Sequence, residues 1–154
     1  MATRSAIAVE FGNKFKGIYC HWDGYVSNNG RILQEYYNRT KALELIALGD
    51  LSSLRPSIGE KHPFSSIESK DVKLTYEQYE AAYGDMCTFY GRDREEVDTA
   101  YKTFDTLEAF IEHYEGCGCE YFYYMDEAGA WHVNAYNKGW EPLTECVRRH
   151  LEEA

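Results

Sequence analysis

The sequence predicts an α+β domain: a mostly antiparallel sheet of about six strands with helices packed on one face. Three observations carry this. Hydrophobic residues make up 44% of the chain and charged residues 27%, close to globular averages. The 154 residues suit one core, so 1–154 reads as a single domain. Segments of period two come in pairs around turn signals, with helical patterns inserted between the pairs.

Ser5 to Phe11 alternates as a strand, Gly12-Asn13 is a turn signal, and Phe15 to Trp22 resumes the alternation, so the chain opens with a hairpin. Arg31 to Tyr37 carries Ile32, Leu33, Tyr36 and Tyr37 at helical spacing, with Asn28 or Asn29 as the expected cap. A second helix follows, with Thr40 as its cap, Leu43, Ile46 and Ala47 as its apolar stripe and Gly49 as its stop. From Asp50 to about Lys70, Ser, Gly and Pro predict a long loop with one helical turn at Asp50 to Leu54.

Tyr76, Tyr79 and Tyr83 fit one face of a short helix within Leu74 to Tyr83, although Val72 and Leu74 alternate like a strand. Strands are expected at Met86 to Tyr90 and Thr99 to Phe104, joined by a charged turn from Gly91 to Glu96. A helix with a capping box of Asp105 and Glu108 then presents Leu107, Phe110, Ile111 and Tyr114 on one face and stops at Gly116. Glu120 to Met125 and Ala130 to Tyr136 form a second hairpin. A last helix starts at Pro142 and buries Leu143, Val147 and Leu151.

Fourteen Tyr, seven Phe and three Trp give the chain an aromatic-rich apolar inventory, suited to a core that reaches the surface through phenol groups or to a face that stacks on a partner. The net charge of −10 is spread along the chain; it favours solubility and repels phosphate backbones, which argues against general nucleic-acid binding but leaves room for a local basic pocket. The five Cys follow no framework spacing, Met1-Ala2-Thr3-Arg4 leads into no apolar leader, and no run is long enough to span a bilayer. A reducing cytoplasm is the expected compartment, with free thiols and no membrane.

Two runs stand out as candidate ligand sites. Gly17-Ile18-Tyr19-Cys20-His21-Trp22-Asp23-Gly24-Tyr25 ends a strand with a titratable ring, an indole, a carboxylate and a phenol close together. The alternative is that Trp22 and Tyr25 close the core while His21 and Asp23 serve the turn. In Tyr90-Gly91-Arg92-Asp93-Arg94, two guanidinium groups in an acidic chain are placed to clamp a phosphate or carboxylate; the alternative is a solvated turn with local ion pairs. Cys117-Gly118-Cys119 with His113 upstream falls short of the four ligands of a zinc site, so no metal or cofactor is expected. Nucleophile elbow, zincin, Walker and dinucleotide motifs are absent from the sequence, and Cys20 and His21, as strand neighbours, point to opposite faces. No catalytic residue is assigned, and the chain is expected not to be an enzyme.

The segment GIYCHWDGYVSNNGRILQEYYNRTKALELIALGDLSSL, Gly17 to Leu54, resembles a group of small proteins encoded by bacteriophages and prophages. They share an Ile-Tyr-Cys-His-Trp-Asp-Gly-Tyr core, an Asn-Gly step with an Ile-Leu pair, and a Leu-Gly-Asp-x-Ser-x-Leu tail. Gly59-Glu60-Lys61-His62, the Phe-Tyr-Gly-Arg-Asp-Arg run at Phe89 to Arg94 and an aromatic hairpin near Tyr121 extend the likeness over most of the chain, with Leu74 to Tyr83 the least familiar part. The resemblance implies a phage accessory protein acting in the host bacterial cytoplasm against host immunity, by holding a nucleotide signal or by blocking a host effector.

The resulting expectation is a protein that sequesters a small nucleotide or phosphorylated ligand between His21, Trp22, Asp23 and Tyr25 on one side and Arg92 and Arg94 on the other. It requires the two segments to meet in the fold. The alternative partner is a host defence protein, whose basic groove the acidic surface would occupy as a nucleic-acid mimic. A third reading is an enzyme that degrades a nucleotide signal, with His21 and Asp23 as acid and base. Formation of a homo-oligomer through an exposed strand edge is a further expectation.

Overall fold

The computed structural model describes residues 2–65 and 74–153, the last few as helical backbone only. Strands β1 (Ser5–Phe11) and β2 (Lys14–Cys20) form the expected hairpin in continuous antiparallel register, from Phe11 opposite Lys14 to Ser5 opposite Cys20. A single π turn (Val26–Gly30) runs into helix α1 (Arg31–Tyr36), followed by α2 (Arg39–Ala47), β3 (Leu51–Ser53) and α3 (Tyr76–Tyr83). Then come β4 (Thr88–Phe89), α4 (Tyr90–Arg94), β5 (Lys102–Phe104) and α5 (Leu107–Glu115). The hairpin of β6 (Tyr121–Met125) and β7 (Trp131–Ala135), the two-residue β8 (Glu141–Pro142) and α6 (Leu143–Glu153) complete the chain.

The eight strands form one α+β sheet in the order β4-β3-β2-β1-β6-β7-β8, with β5 also pairing with β2. Most pairs are antiparallel. Two are parallel, β1 with β6 and β2 with β3, and each needs the long connections that the intervening helices supply. The edge of β2 is shared: Phe15 to Gly17 pair with β5, and Cys20 pairs with Leu51 of β3. Asp50 fills the gap between them, its carboxylate accepting the amide N–H of Tyr19 at 2.9 Å.

Helices cover both faces of the sheet, which corrects the expectation of one. Alternation along β1 sends Ile7 and Val9 to the face covered by α1, α2 and α6, and Ala6 and Ala8 to the face covered by α5. All four are fully buried. The small side chains on the second face let α5 approach closely: a Cβ on Gly17 would lie 2.9 Å from the Phe110 ring, and the Tyr114 hydroxyl donates to the Gly17 carbonyl at 3.0 Å. The apolar stripe of α5 packs as its spacing predicts, through Phe110, Ile111 and Tyr114; which face of the sheet it covers depends on register, which the stripe does not encode.

Several local expectations are corrected. Asn38, not Thr40, caps α2, and Thr106, not Asp105, caps α5. The expected helical turn at Asp50 to Leu54 is strand β3. The strands expected around Gly91 to Glu96 do not pair with each other, because Tyr90 to Arg94 is a helical turn and β4 and β5 join β3 and β2 respectively. Ile67 and Val72 lie outside the described residues. The short helix in Leu74 to Tyr83 is present, with Thr75 and Gln78 closing a capping box.

Candidate functional site

The run from Cys20 to Gly30 builds a joint at the end of β2. Pairing with β3 continues past the strand, His21 N–H donating to Leu51 O at 3.1 Å and Trp22 N–H to Ser52 O at 3.0 Å. Asp23 then adopts a left-handed conformation, φ 55°. Gly24 passes so close to β1 that a Cβ would sit 2.6 Å from the Ser5 Cβ. The two asparagines expected to cap α1 lock this turn instead: Asn28 donates to Asp23 O at 3.1 Å, and the buried Asn29 donates to Ser5 Oγ at 3.2 Å and approaches Cys20 Sγ at 3.4 Å. With Asn29 committed there, α1 starts with no side-chain cap.

This joint presents Trp22 and Asp23 to a cleft of about 370 Å3. Its floor comes from β3 and β4 through Ser52, Ser53 and Thr88, and Arg55 stands where the chain leaves β3. The other wall is α3. Tyr76, Tyr79, Glu80 and Tyr83 recur at helical spacing and so share the face that lines the cleft, and Phe64 and Ser65 complete it. Trp22 is 44% exposed and Tyr76 71%, large aromatic surfaces left open to solvent at one cleft.

Helix α3 is tied down by its aromatic residues. The Tyr79 hydroxyl lies 2.7 Å from Pro63 O and 3.0 Å from Phe64 O, and Tyr83 stacks on the His62 ring at 5.1 Å and 14°. Arg55 donates to Gly84 O at 2.7 Å and faces Glu80 Oε2 at 3.7 Å, both side chains about one-third exposed. Burial raises the Tyr79 phenol above its ordinary range, so it stays a neutral hydrogen-bonding group.

The predicted site residues divide. Trp22 and Asp23 line the cleft. Arg94 reaches it indirectly, its guanidinium 4.7 Å from the centre of the Phe64 ring and 3.7 Å from Glu96. Tyr25 stands outside the lining, and burial and then the nearby Asp23 carboxylate raise its phenol. His21 projects to the α5 side beside Tyr19, the Tyr19 hydroxyl and His21 Nδ1 being 2.8 Å apart. Burial and then Arg4 hold this imidazole below its ordinary range, and burial lifts the Tyr19 phenol to about 12.

Arg92 faces inward. Its guanidinium meets both carboxylate oxygens of the fully buried Asp93 side chain, and it also donates to Ile58 O and Cys87 O at 2.9 Å each. It is a structural clamp rather than the exposed phosphate fork expected from sequence. Of the lining, only Trp22 and Asp23 belong to the site expected from sequence; Arg55, Phe64, Glu80 and the three tyrosines of α3 do not. Arg55 sits in a Ser/Pro-rich stretch without a motif, whereas the Tyr76, Tyr79 and Tyr83 spacing carried a usable signal.

A larger open groove of about 560 Å3 runs between α1, the β6–β7 turn and β8, past Tyr36, Trp131 and His132. Among the described residues no Lys or Arg lines it, and His132 is held by Asp126 at 2.8 Å. For an anionic ligand the smaller cleft has the better chemistry. Among the described residues, no cluster suited to a metal ion and no helix long and apolar enough to cross a membrane is present. Comparisons with protein-family models, curated proteins and solved structures find no match to this chain.

Proposed function

We propose that this protein is a ligand-binding protein, not an enzyme, and that its cleft holds a small nucleotide. The observation that carries the reading is the pairing of exposed aromatic surface with one guanidinium: Trp22 and Tyr76 line the same cleft as Arg55. A base stacks on the aromatic rings, worth about 1–3 kcal/mol per ring contact. Arg55 takes a phosphate by paired N–H donors. Asp23 and Glu80 accept hydrogen bonds from the amino edge of a base or from ribose hydroxyls. In the setting that the phage resemblance implies, holding a nucleotide signal in this way counters host defence by sequestration, in the host bacterial cytoplasm.

The test is a thermal-shift screen of the full chain against cyclic and linear nucleotides, with Trp22→Ala, Tyr76→Ala and Arg55→Ala alongside. A ligand that binds only the folded state raises the melting temperature by mass action. The expected result is a shift that all three substitutions reduce. No shift with any nucleotide would overturn the reading and favour an acidic inhibitor of a host defence protein, to be sought by its salt-sensitive binding.

A further inference from the structure

We propose that the cleft selects nucleotides by charge, taking a mononucleotide with a single negative charge, a phosphodiester such as a cyclic mononucleotide, over monoesters, diphosphates and triphosphates. This rests on the nucleotide reading of the cleft. Among the described residues that line it, the cleft has one cation, Arg55, and two carboxylates, Asp23 and Glu80.

Arg55 already faces Glu80 at 3.7 Å and donates to Gly84 O, so its unused N–H groups match one phosphate and not a chain of them. Every negative charge beyond the first meets Asp23 and Glu80, and the described lining residues hold no second cation to offset it. The chain's net charge of −10 acts in the same direction at longer range. Size agrees with charge. At about 370 Å3 the cleft lies at the small end of ligand sites, a size suited to one nucleoside unit and its phosphate.

The experiment is calorimetric titration of the full chain at low salt with 3′,5′-cyclic mononucleotides of the four common bases and the matching 5′-mono- and triphosphates. The expected order is cyclic, then monophosphate, then triphosphate, with affinity falling roughly fourfold for each added charge, the repulsion expected between unit charges about 5 Å apart in water. Glu80→Gln, and independently Asp23→Asn should the first variant fail to melt cooperatively, narrows that gap by a similar factor. Triphosphates that bind as tightly as cyclic mononucleotides, or a gap that neither substitution narrows, would overturn charge selection and leave the nucleotide site standing. Absence of binding by every nucleotide to folded protein would overturn both.

Discussion

The guanidinium of Arg92 bonds both oxygens of the neighbouring Asp93 carboxylate, Nε to Oδ1 at 3.0 Å and Nη2 to Oδ2 at 3.1 Å. The same carboxylate accepts the amide N–H groups of Phe89 at 2.8 Å and His62 at 3.1 Å. One buried ion pair thus joins β4, α4 and the segment from Ile58 to His62 that leads to the floor and mouth of the cleft. Removing one partner of such a pair leaves an uncompensated buried charge, a loss of about 3–5 kcal/mol. Arg92→Ala and Asp93→Ala are each expected to lower the unfolding free energy by that amount, read from equilibrium denaturant unfolding followed by tryptophan fluorescence. Arg55→Ala, at a more exposed position, is expected to change stability by less than about 1 kcal/mol. Equal losses for Arg55→Ala and Arg92→Ala would contradict the division between binding cation and structural clamp.

Close approach of α5 to β2 gives a second expectation. Gly17 has the Phe110 ring within 2.9 Å of where a Cβ would stand and the Phe104 ring within 3.3 Å. Gly17→Ala therefore overpacks this face and is expected to cost about 1–3 kcal/mol. Combining it with Phe110→Leu, which vacates ring volume at the contact, recovers part of the loss. Additive losses in the double mutant, read from the same unfolding curves, would show that the ring is not the obstacle.

The hairpins, most helices and the α+β class were legible because hydrophobic period and turn chemistry act locally. The candidate cleft was less legible. Much of the run from Gly17 to Leu54 and of the Phe89 to Arg94 run builds scaffold: Asn29 and Gly24 make the joint after β2, Asp50 fills the ladder gap, and Arg92 with Asp93 forms the clamp. Each of these roles depends on a partner far along the chain, such as Ser5 for Asn29 or Ile58 for Arg92, and no periodicity records such a partner. Trp22 and Asp23 were found because a strand end followed by Asp-Gly marks an exposed turn. Their partner Arg55 has no such local mark. The parallel pairing of β1 with β6 was unreadable for the same reason, since it joins segments separated by most of the chain.

Two carboxylates shift in opposite directions and give opposite pH responses. Burial raises Asp50 above its ordinary value of 3.8, against the opposing bond from the Tyr19 amide. Its contribution to stability is full below the unfolded value and is lost as pH rises through the raised folded value. For Asp126, burial raises the carboxyl but the His132 bond and then the Ala130 amide outweigh it, so the folded value lies below 3.8. Its contribution is present above the unfolded value and lost as pH falls through the folded one. Asp50→Asn, which keeps an acceptor for Tyr19, is thus expected to melt above the wild type at neutral pH, with the gap closing as pH falls towards 4. Asp126→Asn is expected to melt below it at neutral pH, with its gap closing below pH 4. Melting curves across pH 3 to 8 for the three proteins test both signs.

Tyr79 ties the α3 wall to the body of the domain. Its hydroxyl lies within hydrogen-bond reach of Pro63 O and Phe64 O, and its ring sits 5.3 Å from that of Tyr83, which in turn stacks on His62. The ring is nearly buried while its neighbour Tyr76 is open, so one residue anchors the helix and the other faces the open cleft. Tyr79→Phe keeps the packing and removes only the hydroxyl, at a cost of about 1–2 kcal/mol that falls first on the local opening of α3. Hydrogen exchange is expected to show faster exchange at the amides of α3, with the β1–β2 and β6–β7 amides unchanged. If nucleotide binding uses the α3 wall, the same variant weakens it, whereas Tyr76→Ala weakens binding without faster exchange in the rest of the helix. Exchange that quickens uniformly across the sheet in Tyr79→Phe would mean that α3 unfolds only with the whole domain, and that the cleft is a fixed feature of the fold with no independent wall.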